Sequence, residues 1–182
     1  MTKTNRGFTL VELMIVLVII GIIAAFAIPN LLESQKAGNE TSAEKTMKTI
    51  IDAEANFMKA DFDNDGKDFC YNLLNLNAQQ DAAGNAINLI PSMPANGIKE
   101  GYTYFELGDY DELATPGTDP KYGFAYAAVP TVYGTTGRRT YICNQTGAIY
   151  YKDLGATVLT GASTWSGDCA PAAGNGWNLL GE

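Results

Sequence analysis

Between Phe8 and Ile28 the chain runs for 21 residues with a single charged side chain, Glu12. About 20 apolar residues at ~1.5 Å rise each cross a hydrocarbon core, so this run is long enough to span a membrane as one helix. Hydrocarbon offers no water to backbone N–H and C=O groups, and a helix satisfies them within a single segment. Gly21 and Pro29 are poor helix-interior residues in water but are tolerated in membrane helices, where they mark bends or a weakened hydrogen-bond ladder. Lys3 and Arg6 precede the run, and the positive-inside rule keeps that flank in the cytoplasm and sends everything after Pro29 across the membrane. A cleaved secretory signal would end in small residues after its apolar core. Here Ala24, Ala25 and Ala27 lead into Pro29 and an unbroken helical pattern, so the run reads as retained. A carboxylate this deep in such a segment is expensive and reads as functional, with a partner to be found.

Gly7-Phe8-Thr9-Leu10-Val11-Glu12, the apolar run, Gly21 and Pro29 together resemble the N-terminus of the type IV pilins and the type II secretion pseudopilins. The resemblance covers Met1 to about Leu32. It implies a leader over residues 1–7, cut between Gly7 and Phe8 by a prepilin peptidase that also methylates the new amino terminus of Phe8. It further implies a homopolymer built through residues 8–28, with Glu12, Gly21 and Pro29 serving assembly, and an inner-membrane platform with its ATPase as partners. Cutting after Gly7 creates an ammonium on Phe8 near a helix start, where the dipole and desolvation both disfavour a cation. In a staggered bundle the Glu12 carboxylate of one subunit can meet the Phe8 ammonium of the next, and leaving either charge buried and unpaired would penalise wrong register. The alternative is a local pair between Glu12 and its own amino terminus, about one turn away.

Composition narrows the rest. The chain has no histidine, so it lacks the commonest general base and metal ligand. Its serines, Ser34, Ser42, Ser92, Ser163 and Ser166, stand outside any Gly-x-Ser-x-Gly elbow. No carboxylate pair has a spacing that marks an acid and base over a cleft, and nothing argues for an enzyme. A net charge of -8 disfavours nucleic acid and anionic lipid as general partners. Arg138-Arg139 is the local exception, and two arginines at a strand read as salt-bridge partners of nearby carboxylates, with no ligand assigned. Three cysteines, Cys70, Cys143 and Cys169, would lie in an oxidising space and allow one disulfide. Three pairings exist. Cys143 with Cys169 is preferred, because the Gly-, Ala- and Pro-containing C-terminal segment has little else to hold it.

Residues 29–61 continue the helix as an amphipathic half. Ala43, Met47, Ile50, Ile51, Phe57 and Met58 recur at three- and four-residue spacings, with Lys45, Lys48, Asp52 and Lys59 on other faces. Such a stripe predicts a sheet against it. Asp61-Phe62-Asp63-Asn64-Asp65-Gly66-Lys67-Asp68 matches the first half of a calcium loop, but Asn72 stands where the bidentate Glu belongs. The segment is either a modest extracellular Ca2+ site using Asp61, Asp63, Asp65 and Asp68, or an acidic turn that stops the helix. Tyr71 to Gly101 reads as a connection with one short helix near Leu73 to Leu76.

Strand signals follow at Tyr102–Leu107, Tyr122–Val129, Arg139–Cys143 and Ala148–Lys152. The last two are joined by the turn Asn144-Gln145-Thr146-Gly147. From Gly155 onward a loop-like tail pinned by Trp165 and Trp177 is expected. The predicted fold is α+β: a long N-terminal helix whose second half packs on an antiparallel sheet of about four strands, with residues 62–182 as a β-rich globular domain.

The expected role is a structural subunit of a type IV pilus or pilus-like filament, with no cofactor required. It would be single-pass in the inner membrane before assembly and part of a pilus or periplasmic or cell-surface filament afterwards. A pseudopilin of a type II secretion or DNA-uptake system is the alternative within the family. A membrane-anchored calcium-binding or adhesive module explains the acidic loop but leaves Gly7, Phe8 and Glu12 without purpose.

Overall fold

The computed structural model describes residues 7–61, 73, 76, 88–90, 93, 97–107, 124–157, 159, 165–166, 170–171 and 176–181. It divides into two compact units, Met1–Gln35 and Lys36–Glu182. One helix, α1 (Leu10–Ala60), supplies the first from Leu10 onward and opens the second.

In the first unit α1 continues through Gly21 and Pro29 as helix, although the proline ring removes one ladder bond. Its large apolar side chains from Leu10 to Leu32 are all exposed. The segment is long and apolar enough to cross a membrane. A helix that is apolar all round is not a surface helix of a globular domain, and suits lipid or a bundle of similar helices.

In the second unit α1 becomes one-sided. Ala43, Thr46, Met47, Ile50, Ala53, Glu54 and Phe57 are buried at the predicted spacings, with Ile51 packed at the margin. The helix stops at Asp61, which takes a left-handed φ of 51° and donates its amide to Phe57 O at 3.0 Å. This is the αL form of C-cap, filled by Asp in place of the usual Gly.

The stripe rests on a six-stranded antiparallel sheet in the order β1-β2-β3-β4-β5-β8. Its strands are β1 (Ile98–Lys99), β2 (Tyr102–Glu106), β3 (Ala125–Pro130), β4 (Arg139–Asn144), β5 (Ile149–Asp153) and β8 (Asn178–Leu179). β6 (Trp165–Ser166) and β7 (Ala170–Pro171) pair separately. Register places Tyr104, Ala128, Tyr141 and Tyr151 in one row across β2 to β5. The small Ala128 leaves room between its neighbours, so the Tyr102 and Tyr141 rings lie 6.1 Å apart and Tyr141 and Tyr151 6.4 Å apart, within the range of favourable tilted aromatic pairs. The strand tyrosines Tyr102, Tyr104, Tyr126 and Tyr141 are therefore core beneath the helix.

Three glutamates of α1 tie helix to sheet. Glu54 is fully buried and accepts from the Tyr126 hydroxyl at 2.6 Å. Glu44 accepts from the Tyr141 hydroxyl at 3.1 Å. Glu40 accepts from the amides of Arg138 (2.9 Å) and Arg139 (3.4 Å) and forms an ion pair with the Arg139 guanidinium at 3.8 Å. That guanidinium also lies 4.8 Å over the Tyr151 ring. The expected salt-bridge role holds for Arg139. Gly137 is required beside it, because a Cβ there would overlap the Tyr102 hydroxyl.

Two expectations are corrected. The sheet has six strands where about four were expected. β1 is a two-residue strand closed onto β2 by the turn Glu100-Gly101, with both φ positive. β8 comes from the tail that was expected to be loop-like, and pairs Tyr150 with Leu179 and Tyr151 with Asn178. Such short edges lack the length of alternating pattern that marks a strand in sequence. The far side of the sheet is also a core, of Leu107, Ala125, Ala127, Ile142 and Leu159 with Trp177 packed against it. The 144–147 turn is formed as expected, with Gly147 at φ 77° and its amide on Asn144 O at 3.0 Å.

Tyr126→Phe leaves the buried Glu54 carboxylate short of one donor. It should lower unfolding free energy by about 1–3 kcal/mol in urea denaturation of the full chain in detergent. Burial also raises several acids together. Tyr104 is pushed from 10.0 up to about 12, and Tyr102, Tyr141 and the Cys143 thiol are raised too, first by burial and next by Glu40, Glu44 and, for the thiol, Glu54. The folded state then holds these protons more tightly than the unfolded chain. Stability is unaffected below the ordinary values of 9.0 for the thiol and 10.0 for the phenols and falls as pH rises above them. Circular dichroism should lose sheet signal together with a late, cooperative rise of tyrosinate absorbance. Titration of all ten tyrosines near 10.0 with the sheet intact would contradict this.

Candidate functional site

Residues 7–9 are not helical and α1 begins at Leu10, which makes Thr9 the N-cap and Glu12 the third helical residue. Glu12 Oε2 accepts from the Thr9 amide at 2.9 Å and from the Thr9 hydroxyl at 2.8 Å. The Glu12 amide donates back to Thr9 Oγ1 at 3.2 Å, and Leu13 N–H opens the ladder on Thr9 O at 3.3 Å. This reciprocal pair is a capping box, which satisfies donors that the first turn leaves without intrahelical partners. A carboxylate in the first turn also faces the positive end of the helix dipole favourably.

The arrangement gives Glu12 a partner that the sequence reading overlooked. Thr9 is the missed residue, and the signal was in view, since Thr-x-x-Glu ahead of an apolar run is the capping-box pattern. The box uses Oε2, which leaves the second carboxylate oxygen for another donor. Phe8 stands just outside the box, 83% exposed, with Gly7 beside it in non-helical backbone. Gly21 and Pro29 lie farther along the helix, and a Cβ at Gly21 would meet nothing within 4 Å, so no contact within this chain demands a glycine there.

The remaining candidates are placed as follows. Asp61 caps the end of α1, while Asp63, Asp65 and Asp68 lie outside the described residues. Among the described residues no group of three His, Cys, Asp or Glu is arranged to hold a metal. Cys143 is a free thiol buried on β4 in the helix-side core. Cys169, the expected partner of Cys143, and Cys70 lie outside the described residues.

The family described as "Prokaryotic N-terminal methylation motif" matches residues 2–28, the stretch that contains the capping box and the apolar run. By this segment the chain is similar to the type IV pilins and the type II secretion pseudopilins. The type IV major pilin protein PilA of Myxococcus xanthus is 49% identical over 53 residues, 29% of this chain and 24% of that protein. The type IV wide pilus major component PilA4 of Thermus thermophilus is 58% identical over 39 residues, 21% of this chain and 30% of its own. The type II secretion system core protein G of Escherichia coli is 44% identical over 54 residues, 30% and 33% of the two chains. The chain thus spans about a quarter to a third of the length of the curated pilins and pseudopilins it matches. A second family, described as "Protein of unknown function (DUF2950)", matches residues 108–167. No solved structure matches the chain.

Thr9→Ala removes both contacts of the Thr9 hydroxyl and should destabilise the helix start by about 0.5–2 kcal/mol. Amide exchange over residues 10–13 in detergent micelles should speed up accordingly, with Thr9→Ser close to wild type.

Proposed function

We propose that this chain is a structural subunit of a type IV pilus or pilus-like filament. It is made as a precursor, cut between Gly7 and Phe8, methylated on Phe8, held in the inner membrane by residues 8–28 and then polymerised through that segment. The observation that carries this reading is the exposed apolar helix from Leu10 to Leu32 with one carboxylate, Glu12, in its first turn. Such a surface is stable in lipid or against other copies of itself. Moving between the two exchanges lipid contacts for helix packing, so extraction needs the work of an assembly machine.

The capping box refines the role of Glu12. Its hydrogen bonds to Thr9 let the carboxylate enter the membrane already partnered, and its other oxygen can take the Phe8 ammonium of a neighbouring subunit once the leader is gone. The pseudopilin reading is favoured by the 44% identity to the type II secretion system core protein G of Escherichia coli. Long sheared surface fibres containing this chain would support a pilus, and their absence beside a secretion defect would support the pseudopilin.

Glu12→Ala should insert in the membrane and lose its leader normally, read by mass spectrometry of the N-terminal peptide, yet be absent from sheared filaments. Incorporation at wild-type level would remove Glu12 from assembly.

A further inference from the structure

From Glu40 onward, α1 turns its glutamates toward the sheet and Lys45, Lys48 and Lys59 away from it. Glu40, Glu44 and Glu54 are engaged with the 138–139 amides, the Tyr141 hydroxyl and the Tyr126 hydroxyl. At 3.6 residues per turn, Lys45, Lys48 and Lys59 fall along the meridian opposite Ile50, the centre of the buried stripe. All three are exposed, and none forms an ion pair among the described residues. Asp52 is the one carboxylate on that outer line. The result is a cationic face on a chain whose net charge is -8.

An open groove of about 640 Å³ lies at the upstream end of this face, lined by Ala37, Gly38, Thr41, Ser42, Lys45 and Glu100. The helix side of the groove carries only small side chains before Lys45, so an incoming chain can approach the helix backbone and still reach the Lys45 ammonium. Glu100 opposite sits in a left-handed turn position at φ 46°, a conformation that a glutamate adopts at some cost.

We infer that the outer lysine face of α1 docks on carboxylates of a second copy of this chain, and so sets the side-to-side packing of subunits. This rests on the filament reading above. The charge complementarity is internal to the sequence: 20 acidic side chains against 12 basic ones, with three of the basic ones gathered on one exposed helix line. A single exposed ion pair is weak, but a filament repeats the contact at every subunit, and the weak contacts act together.

Zero-length carbodiimide coupling joins an ammonium to a carboxylate only where the two touch. Applied to sheared wild-type filaments, it should give a ladder of covalent dimers and higher species whose linkages map to Lys45, Lys48 or Lys59. The triple variant K45R/K48R/K59R keeps the charge but not the reactive amine, and should assemble normally and lose the ladder. K45E/K48E/K59E should retain leader removal and fold while the yield of sheared filaments drops several-fold. Wild-type filaments without the ladder, a ladder that survives in the arginine variant, or glutamate variants that assemble at wild-type yield would overturn the inference and leave the filament reading intact. Wild-type cells that build no filament containing this chain would sink both.

Discussion

The second unit depends on the contact between the α1 stripe and the tyrosine-bearing face of the sheet. Ala43, Met47, Ile50, Ala53 and Phe57 cover Tyr102, Tyr104, Tyr126 and Tyr141, and burying that aromatic and aliphatic area is the main source of stability available to a unit of this size. Each tyrosine brings a polar tip into the layer, and three of the four tips are hydrogen-bonded. The glutamates of α1 meet two of them, at Tyr126 and Tyr141, while Tyr102 donates to Arg139 O at 2.9 Å. Apolar packing and polar satisfaction thus use the same residues, which makes the helix-sheet register hard to shift.

The first unit poses the opposite problem. Its helix exposes apolar side chains on every face. One continuous secondary element therefore serves two solvents, lipid or neighbouring helices for Leu10 to Leu32 and a protein core from Ala43 onward. Helical geometry is common to both, and only the side chains change, from uniformly apolar to one-sided.

The helix and its stripe were legible because their signals are long: an apolar run, then buried positions at three- and four-residue spacing. The four main strands were legible from β-branched and aromatic clusters bounded by turn residues, and Asn144 to Gly147 marked one hairpin directly. β1 and β8 were not, because two residues carry no alternation, and their pairing is decided by what β2 and β5 leave open at the edges. The second core behind the sheet was hidden for a related reason. β3 reads Ala-Tyr-Ala-Ala-Val-Pro, and its alanines look like weak strand formers until both faces are seen to be packed. At the helix start, Glu12 stands out in the sequence as a charge, while its partner Thr9 reads as part of the Gly7–Glu12 pattern. Glu54 carries no signal in the sequence, because a lone glutamate on a helix is usually solvated and its burial depends on Tyr126, 72 positions away.

The capping box also decides where backbone regularity begins. With Thr9 as the N-cap, Gly7 and Phe8 stay outside the helix although the residues after them are strongly helical. A peptide bond inside a helix presents neither a free carbonyl face nor room for an approaching nucleophile, whereas one in open backbone presents both. Thr9 Oγ1 holds that start through the Glu12 amide, a contact that does not involve the Glu12 side chain, and the Gly7–Phe8 bond stands in open backbone, as the proposed cut requires. The proposed cut and the proposed register thus draw on different groups of two neighbouring residues on one helix turn, the Thr9 hydroxyl for the first and the Glu12 carboxylate for the second.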